Sequence, residues 1–289
     1  MRASVVIPNL DCPLVDRAVR AVLDQRVDDA RLEVVVVGRG APGSVPKAPG
    51  VRHLAADQAL SPAAARNLGV SEVSGELLLF TDADCLPQPG WAAALAAATA
   101  ESPVAGGSVR FDLTANRWAV ADNIASFADF LGDRPAERAT NRPLGSLNLA
   151  IRRAAWEQVG PFDEALTTSE DHDWVLRARA AGLDTAFVPE AVVEHAAVRS
   201  SREEVEEHAR WYGRHFAAFR RRHPGVFASG PTWRFRWALA LAAPLKAQLA
   251  ARAVYRDHPS LVPGRHAMDG VVAFKLAWYR AVVAGWNEG

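Results

Sequence analysis

The stretch Leu77-Leu78-Leu79-Phe80-Thr81-Asp82-Ala83-Asp84 decides the fold. An unbroken apolar run without polar alternation fits a strand buried on both faces, and such strands belong to mainly parallel sheets covered by helices. The run breaks directly into two carboxylates separated by one residue. Ligands of open α/β sheets lie beyond the carboxyl ends of the strands, and paired carboxylates there suit a divalent cation that itself holds a phosphate. Asp is also a common turn residue, so the triplet alone leaves a backbone-capping role equally open.

Outward from this strand, short β-branched runs alternate with helical patterns, which predicts an α/β fold with a mainly parallel sheet flanked by helices. Residues 4–7 read as the first strand. Asp11 and Pro13 then supply a cap and a first-turn proline for a helix with Leu14, Val15, Ala18, Val19, Val22 and Leu23 on one face. Strands are expected at 32–37, 51–54, 104–111 and 147–151, with two further short ones at 186–188 and 192–193. Helices are expected to begin near Ser61 and to cover 91–100, 153–159 and 169–181. Residues 116–141 have a mixed pattern and read as a variable excursion.

From about Arg199 the texture changes to aromatic- and arginine-rich helices, at 203–222 and 235–256, followed by a segment through Trp278 and Trp286. The expected organisation is therefore a domain over 1–198 and a helical, basic and aromatic-rich extension over 199–289. The whole chain carries zero formal net charge, yet residues 199–256 hold twelve Lys or Arg against four Asp or Glu. That asymmetry fits a solvated basic face or a polyanionic partner such as an anionic surface. Nucleic acid is not among the expected partners. Trp211, Tyr212, Phe216 and Phe219, interleaved with Arg210, Arg214 and residues 220–222, fit an interfacial helix, a site for a phosphorylated lipid, or a packed lid. Aromatic stripes at helical spacing usually belong to a core, which favours packing or a lid.

With 289 residues, 49% of them hydrophobic and 23% charged, the chain can bury a full core. The apolar start of the chain is interrupted by Pro8, Asn9 and Asp11, too soon for a secretory leader. The longest uncharged apolar run in the C-terminal part, 237–245, has nine residues and contains Pro244, too little to span a bilayer. A cytoplasmic protein is expected, with peripheral contact at the inner face of the membrane left open. Cys12 and Cys85 fit no metal or disulfide spacing and read as small reduced side chains.

A second acidic group, Thr168-Ser169-Glu170-Asp171-His172-Asp173-Trp174, opens an expected helix. The helix dipole alone favours acids there. Adjacent carboxylates also raise one another's pKa, which makes one of them a candidate general base.

The chain resembles the family-2 glycosyltransferases of the GT-A fold over residues 4–195, on motifs that occur in a shared order. These are Ile7-Pro8, Ala65-Arg66-Asn67-Leu68-Gly69, the strand ending in Asp82-Ala83-Asp84, Gly145-Ser146-Leu147-Asn148-Leu149-Ala150, Val159-Gly160-Pro161-Phe162-Asp163-Glu164, Glu170-Asp171 and Val193-Glu194-His195. The resemblance implies a Rossmann-like GT-A sheet and metal-dependent, inverting transfer of a sugar from a nucleotide diphosphate donor of UDP, GDP or dTDP type to an unknown acceptor hydroxyl. It assigns Pro8, Asn9, Arg66, Asp82 and Ala83 to the nucleotide sugar, and Asn148, Glu170 and Trp174 to the acceptor or sugar. Asp84, with Asp82 and His195, falls to Mg²⁺ or Mn²⁺, and Asp171 to the catalytic base. For His195 a purely structural hydrogen bond is an equal reading.

One departure stands out. The family usually places an Asp after the second strand, where it helps recognise the base, and here Val37 is followed by Gly38-Arg39-Gly40. That loss prompts an alternative reading as a catalytically degenerate protein that still binds nucleotide sugars. A further alternative, an Asp-dependent phosphotransferase or phosphatase, is disfavoured because that class carries its Asp pair on the first strand.

Overall fold

Val34 to Val37 are all β-branched and fully buried, the composition of a strand covered on both faces. They lie in β2 (Glu33–Arg39), which pairs in parallel with β1 (Ala3–Leu10) on one side and β3 (Val51–Ala55) on the other. On the far side of β1 runs β4 (Leu77–Thr81), also parallel, with every residue buried. The computed structural model describes residues 1–28, 30–41, 43–227, 235–259 and 267–287. Residues 228–234 and 260–266 and the last two residues of the expected 199–289 extension lie outside these.

The remaining strands are β5 (Cys85–Pro87), β6 (Val104–Arg110), β7 (Asn148–Arg152) and β8 (Thr185–His195). They complete an eight-stranded sheet of order β3-β2-β1-β4-β7-β6-β8-β5. Strand β7 runs antiparallel to both β4 and β6, and β5 antiparallel to β8, so the sheet is mixed at the half that follows the Asp82-Ala83-Asp84 turn. The two short strands expected at 186–188 and 192–193 are one continuous β8. Its pairing with β6 slips between Gly107 and Ser108, and that irregularity hides the continuity from a period-2 reading.

Helices α1 (Val15–Leu23), α2 (Pro62–Ser71) and α3 (Trp91–Ala98) follow strands in this sheet. Helix α2 opens as read, with Ser61 capping the Ala64 N–H and proline at its first position. Its Gly69 is dictated by packing, since a Cβ there would sit 2.4 Å from Val6 Cγ1 on β1. Helix α1 departs from the expectation: it starts at Val15 and Asp11 does not cap it. Asp11 instead takes a positive φ of 52° and its carboxylate pairs with Arg39.

Two compact units emerge. The first comprises Met1–Arg110 and Asp129–Ala196, and the second Phe111–Ala128 and Ala197–Gly289. The mixed region 116–141 is thus divided: Arg117–Phe127 forms α4, which belongs to the second unit. The first unit also holds α5 (Arg153–Val159) and α6 (Glu170–Ala180). The second is all-helical in its described residues, with α4, α7 (Arg202–Arg222), α8 (Pro224–Phe227), α9 (Arg236–Asp257) and α10 (Met268–Ala284). Helix α7 begins with a full capping box between Ser201 and Glu204.

Candidate active site

Buried strand β4 ends at Thr81, and the chain turns at once, the Cys85 N–H donating to the Asp82 carbonyl at 3.0 Å. Strand β5 then pairs with the end of β8, bringing Cys85 opposite His195. The Ala196 N–H donates to the Asp84 carbonyl at 3.0 Å, which ties the carboxylate turn to the residue just after β8. Two sequence-distant motifs therefore meet. His195 Nε2 lies 3.5 Å from Asp84 Oδ2, with the His195 side chain 9% exposed and that of Asp84 29%. Asp84, Cys85 and His195 each offer one donor atom within a 4.8 Å cluster. Asp82 is not part of that cluster.

Asp82 turns instead toward Arg66 on α2, whose side chain is 3% exposed and bridges two acids. Its Nη2 donates to Asp82 Oδ1 at 2.6 Å and its Nη1 to Glu170 Oε1 at 2.6 Å. This guanidinium joins the strand-end acids to the helix-start acids. Burial works against the Arg66 charge, but Asp82, Glu170 and Asp171 together outweigh it and its pKa is raised. Arg66 Nε is left buried without a hydrogen-bond partner, as are the hydroxyls of neighbouring Thr81 and of Thr168. Unsatisfied polar atoms gathered round a paired charge mark a place where a polar ligand can complete the network.

The two adjacent acids of α6 differ sharply. Burial, reinforced by the Asp171 charge, lifts the Glu170 pKa to about 7 against the pull of Arg66. Burial also acts on Asp171, yet the His172 and Arg66 charges and the N–H groups of Ser146 and His172 prevail and hold its pKa below the ordinary value. Asp171 Oδ2 accepts from the Ser146 N–H at 2.8 Å and from Ser146 Oγ at 3.0 Å, while Oδ1 accepts from the His172 N–H at 2.8 Å. The mutual raising of pKa expected from the sequence is thus one-sided: Glu170 carries it and Asp171 stays ionised. Sequence reading missed Ser146 as the group that orients Asp171, although it lies in a quoted motif. It also missed Ser169, which enters α6 in the left-handed region at φ 64° without capping it. A non-glycine residue held there immediately before two acids is backbone strain of the kind that collects at functional sites.

At the opposite edge of the turn, Asn9 at the end of β1 is 5% exposed. Its Nδ2 donates to the Arg39 carbonyl at 2.8 Å and its Oδ1 accepts from the Cys12 N–H at 3.2 Å. Pro8 beside it is partly exposed and Ala83 is buried. The end of β2 explains the missing acid. Gly38 pairs with Asn9, has φ 123°, and a Cβ there would fall 2.2 Å from the Asn9 carbonyl oxygen. No side chain fits, and Arg39 is occupied by Asp11 at 2.6 Å.

Two residues assigned to the acceptor or sugar are placed otherwise. Trp174 is fully buried, donates from Nε1 to the Gly160 carbonyl at 2.8 Å, and stacks on Trp156 with ring centroids 5.9 Å apart. Asn148 is 1% exposed. Its Oδ1 accepts from Trp91 Nε1 at 2.8 Å, and its Nδ2 donates to the carbonyls of Ser108 and Ala191. Both hold the scaffold and present no free face. Their motif positions are real, but aromatic and amide side chains at those positions also suit a core, and spacing does not separate the two uses.

Comparison with known proteins agrees with this geometry. Residues 2–214 match the family model described as "Glycosyltransferase like family 2". The chain is 28% identical over 206 residues to the glycosyltransferase AglE of Haloferax volcanii, covering 67% of this chain and 66% of that one. It is 33% identical over 132 residues to an N-acetylglucosaminyl-diphospho-decaprenol L-rhamnosyltransferase of Mycobacterium tuberculosis, covering 44% and 43% respectively. The matches therefore span just under two thirds of the first relative and less than half of the second. Among solved structures, a mannosyltransferase of Pyrobaculum calidifontis in complex with GDP-Man and Mn²⁺ superposes with a TM-score of 0.61 at 19% identity, covering 100% of this chain and 88% of that one. S. aureus TarS in complex with UDP-GlcNAc gives 0.54 at 16% identity, covering 100% and 92%. The sheet order, the carboxylate turn closed by His195 and the matched family model together place this chain in the glycosyltransferase family 2, with the GT-A fold.

Proposed function

We propose that the protein transfers a glycosyl group from a nucleotide diphosphate sugar to an acceptor hydroxyl, with inversion at the anomeric carbon and with the help of a divalent cation. The observation that carries this reading is the Arg66 bridge, which brings the strand-end acids and the helix-start acids to one buried guanidinium. Relatives named as glycosyltransferases support the reaction class.

The donor set fits Mg²⁺ or Mn²⁺ at Asp84 with His195. A carboxylate oxygen and an imidazole nitrogen suit a cation of that kind, Mn²⁺ more than Mg²⁺. Cys85 is close, but burial and the neighbouring Asp84 and Asp82 charges push its thiol well above the ordinary value. A soft thiol is in any case a poor ligand for a hard cation such as Mg²⁺. When bound, the cation supplies positive charge to the departing diphosphate.

The chain's own residues do the rest. Asp171, held ionised and aimed by Ser146, accepts the proton of the acceptor hydroxyl as its oxygen attacks the anomeric carbon. The bond from that carbon to the diphosphate oxygen breaks on the opposite face, and the configuration inverts. Asp82, fixed by Arg66, is placed to accept from hydroxyl groups of the nucleotide rather than to ligate the cation. With Gly38 unable to carry an acid, recognition of the base falls to other groups, which keeps UDP, GDP and dTDP donors all in play.

A thermal-shift panel of UDP-, GDP- and dTDP-sugars with and without Mn²⁺ tests the reading, because a ligand that binds only the native state raises its apparent stability, by about 2.7 kcal/mol at a hundred times Kd. The expected result is one donor class that stabilises the protein with Mn²⁺ and not in EDTA. Absence of a shift with every donor, or an equal shift in EDTA, would contradict it.

A further inference from the structure

Helix α9 in the helical unit is apolar on the wrong side for a helix in water. Its buried face is made of Leu239, Ala243, Ala247 and Ala251, small side chains apart from the first. Its large apolar residues point away from the protein: Trp237 is 65% exposed, Leu241 77%, Leu245 61% and Leu249 52%. These four recur every fourth residue and form one continuous outward stripe. Phe235, just before the helix, is 54% exposed and stacks on Trp237 with centroids 6.0 Å apart.

The charge around this stripe is one-sided. Helix α9 carries four Lys or Arg, at Arg236, Lys246, Arg252 and Arg256, against one acid, Asp257, which pairs with Arg256. On α9 itself, Arg236, Arg252 and Arg256 are exposed, near the two ends of the stripe.

We propose that the outward face of α9 docks on the surface of a membrane containing anionic lipid, lying in the plane of the interface. Two observations select this occupant. The apolar stripe with an aromatic pair at one end matches the acyl and headgroup boundary, where Trp is favoured. The net positive charge of the helix is complementary to anionic headgroups, whereas a second copy of this chain would bring the same positive charge to the same face. The helix rests on the bilayer and does not cross it, since no helix of the described residues is long and apolar enough to span one. This inference goes beyond the catalytic reading and does not rest on it.

The test is flotation of the full chain with vesicles of phosphatidylcholine alone and of phosphatidylcholine mixed with phosphatidylglycerol. The expected result is binding to the mixed vesicles, weakened by salt, and much less to the neutral ones. The triple variant Leu241→Gln, Leu245→Gln, Leu249→Gln is expected to lower partition at least about tenfold at an unchanged unfolding midpoint, because these side chains leave water only on the membrane. A charge-reversed pair, Arg252→Glu with Arg256→Glu, keeps the apolar stripe and is expected to lose the preference for anionic vesicles. Equal flotation of wild type and triple variant would overturn the proposal. So would failure of the wild type to float together with a dimer that the triple variant converts to monomer, which would assign the face to a second copy.

Discussion

Asp82 in the sheet unit, with a third of its side chain exposed, and Asp122 in the helical unit, which is buried, are both paired with arginine but in different ways. Asp122 on α4 is 3% exposed, and both its oxygens are used: Oδ2 accepts from Arg199 Nη1 at 2.9 Å and Oδ1 from His208 Nδ1 at 2.7 Å. That network is closed. Around Asp82 the arginine is shared with Glu170, its Nε lacks a partner, and Thr81 and Thr168 hold buried hydroxyls with none. The Asp122 network ties α4 to α7, and the Asp82 network ties the end of β4 to the start of α6. A paired charge alone therefore does not identify an active site; what distinguishes the Asp82 network is that acids from two sequence-distant motifs converge on one guanidinium.

The largest effect expected on the scaffold is from Arg66→Met, which leaves Asp82 and Glu170 uncompensated and should lower unfolding free energy in urea by about 3–5 kcal/mol. Arg66→Lys keeps the charge but cannot reach both acids with a planar fork, and should fall between the two. Asp122→Asn sharpens the contrast. It should lower stability by about 2 kcal/mol through its weakened bonds to Arg199 and His208 while leaving nucleotide affinity unchanged. A loss of nucleotide affinity in Asp122→Asn would show that the two networks are not separate in function.

Asp84→Ala should weaken nucleotide sugar binding in Mn²⁺ by about ten- to a hundredfold in calorimetry, with little effect in EDTA. Equal weakening in both conditions would move Asp84 out of the metal role. A further effect concerns pH. Glu170 binds its proton more tightly in the folded chain, with a pKa of about 7 against 4.5, so the stability it contributes is present below 4.5 and is lost as pH rises toward 7. Glu170→Gln should flatten the stability profile in that window. An unchanged slope would mean that Glu170 is not the titrating group.

The sheet was legible because β4 is apolar throughout and ends on two acids, a pattern with few alternatives. Residues such as Arg66, Asp82 and Asp171 were legible through motif order, and their convergence is borne by the Arg66 bridge. What stayed hidden were tertiary facts. Nothing in the period of residues 185–195 announces a slipped pairing with β6, and nothing in Asp171 itself tells that Ser146 lies against it. Trp174 and Asn148 show the opposite limit, since a motif position does not say whether a side chain faces the ligand or the core. Helix α9 is a further tertiary fact, since nothing in its sequence says that Trp237, Leu241, Leu245 and Leu249 turn outward.

The central claim is that Asp171 is the base, and the most direct measurement is the rate of sugar transfer by Asp171→Asn beside Glu170→Gln. Asparagine keeps the size of the side chain and one carbonyl to accept from Ser146, so fold and donor affinity should survive. Transfer by Asp171→Asn should fall by about a hundredfold to ten-thousandfold, the usual contribution of a positioned base, and Glu170→Gln should lose far less. Near-wild-type turnover in Asp171→Asn, with the donor bound normally, would contradict the assignment and the inverting mechanism built on it.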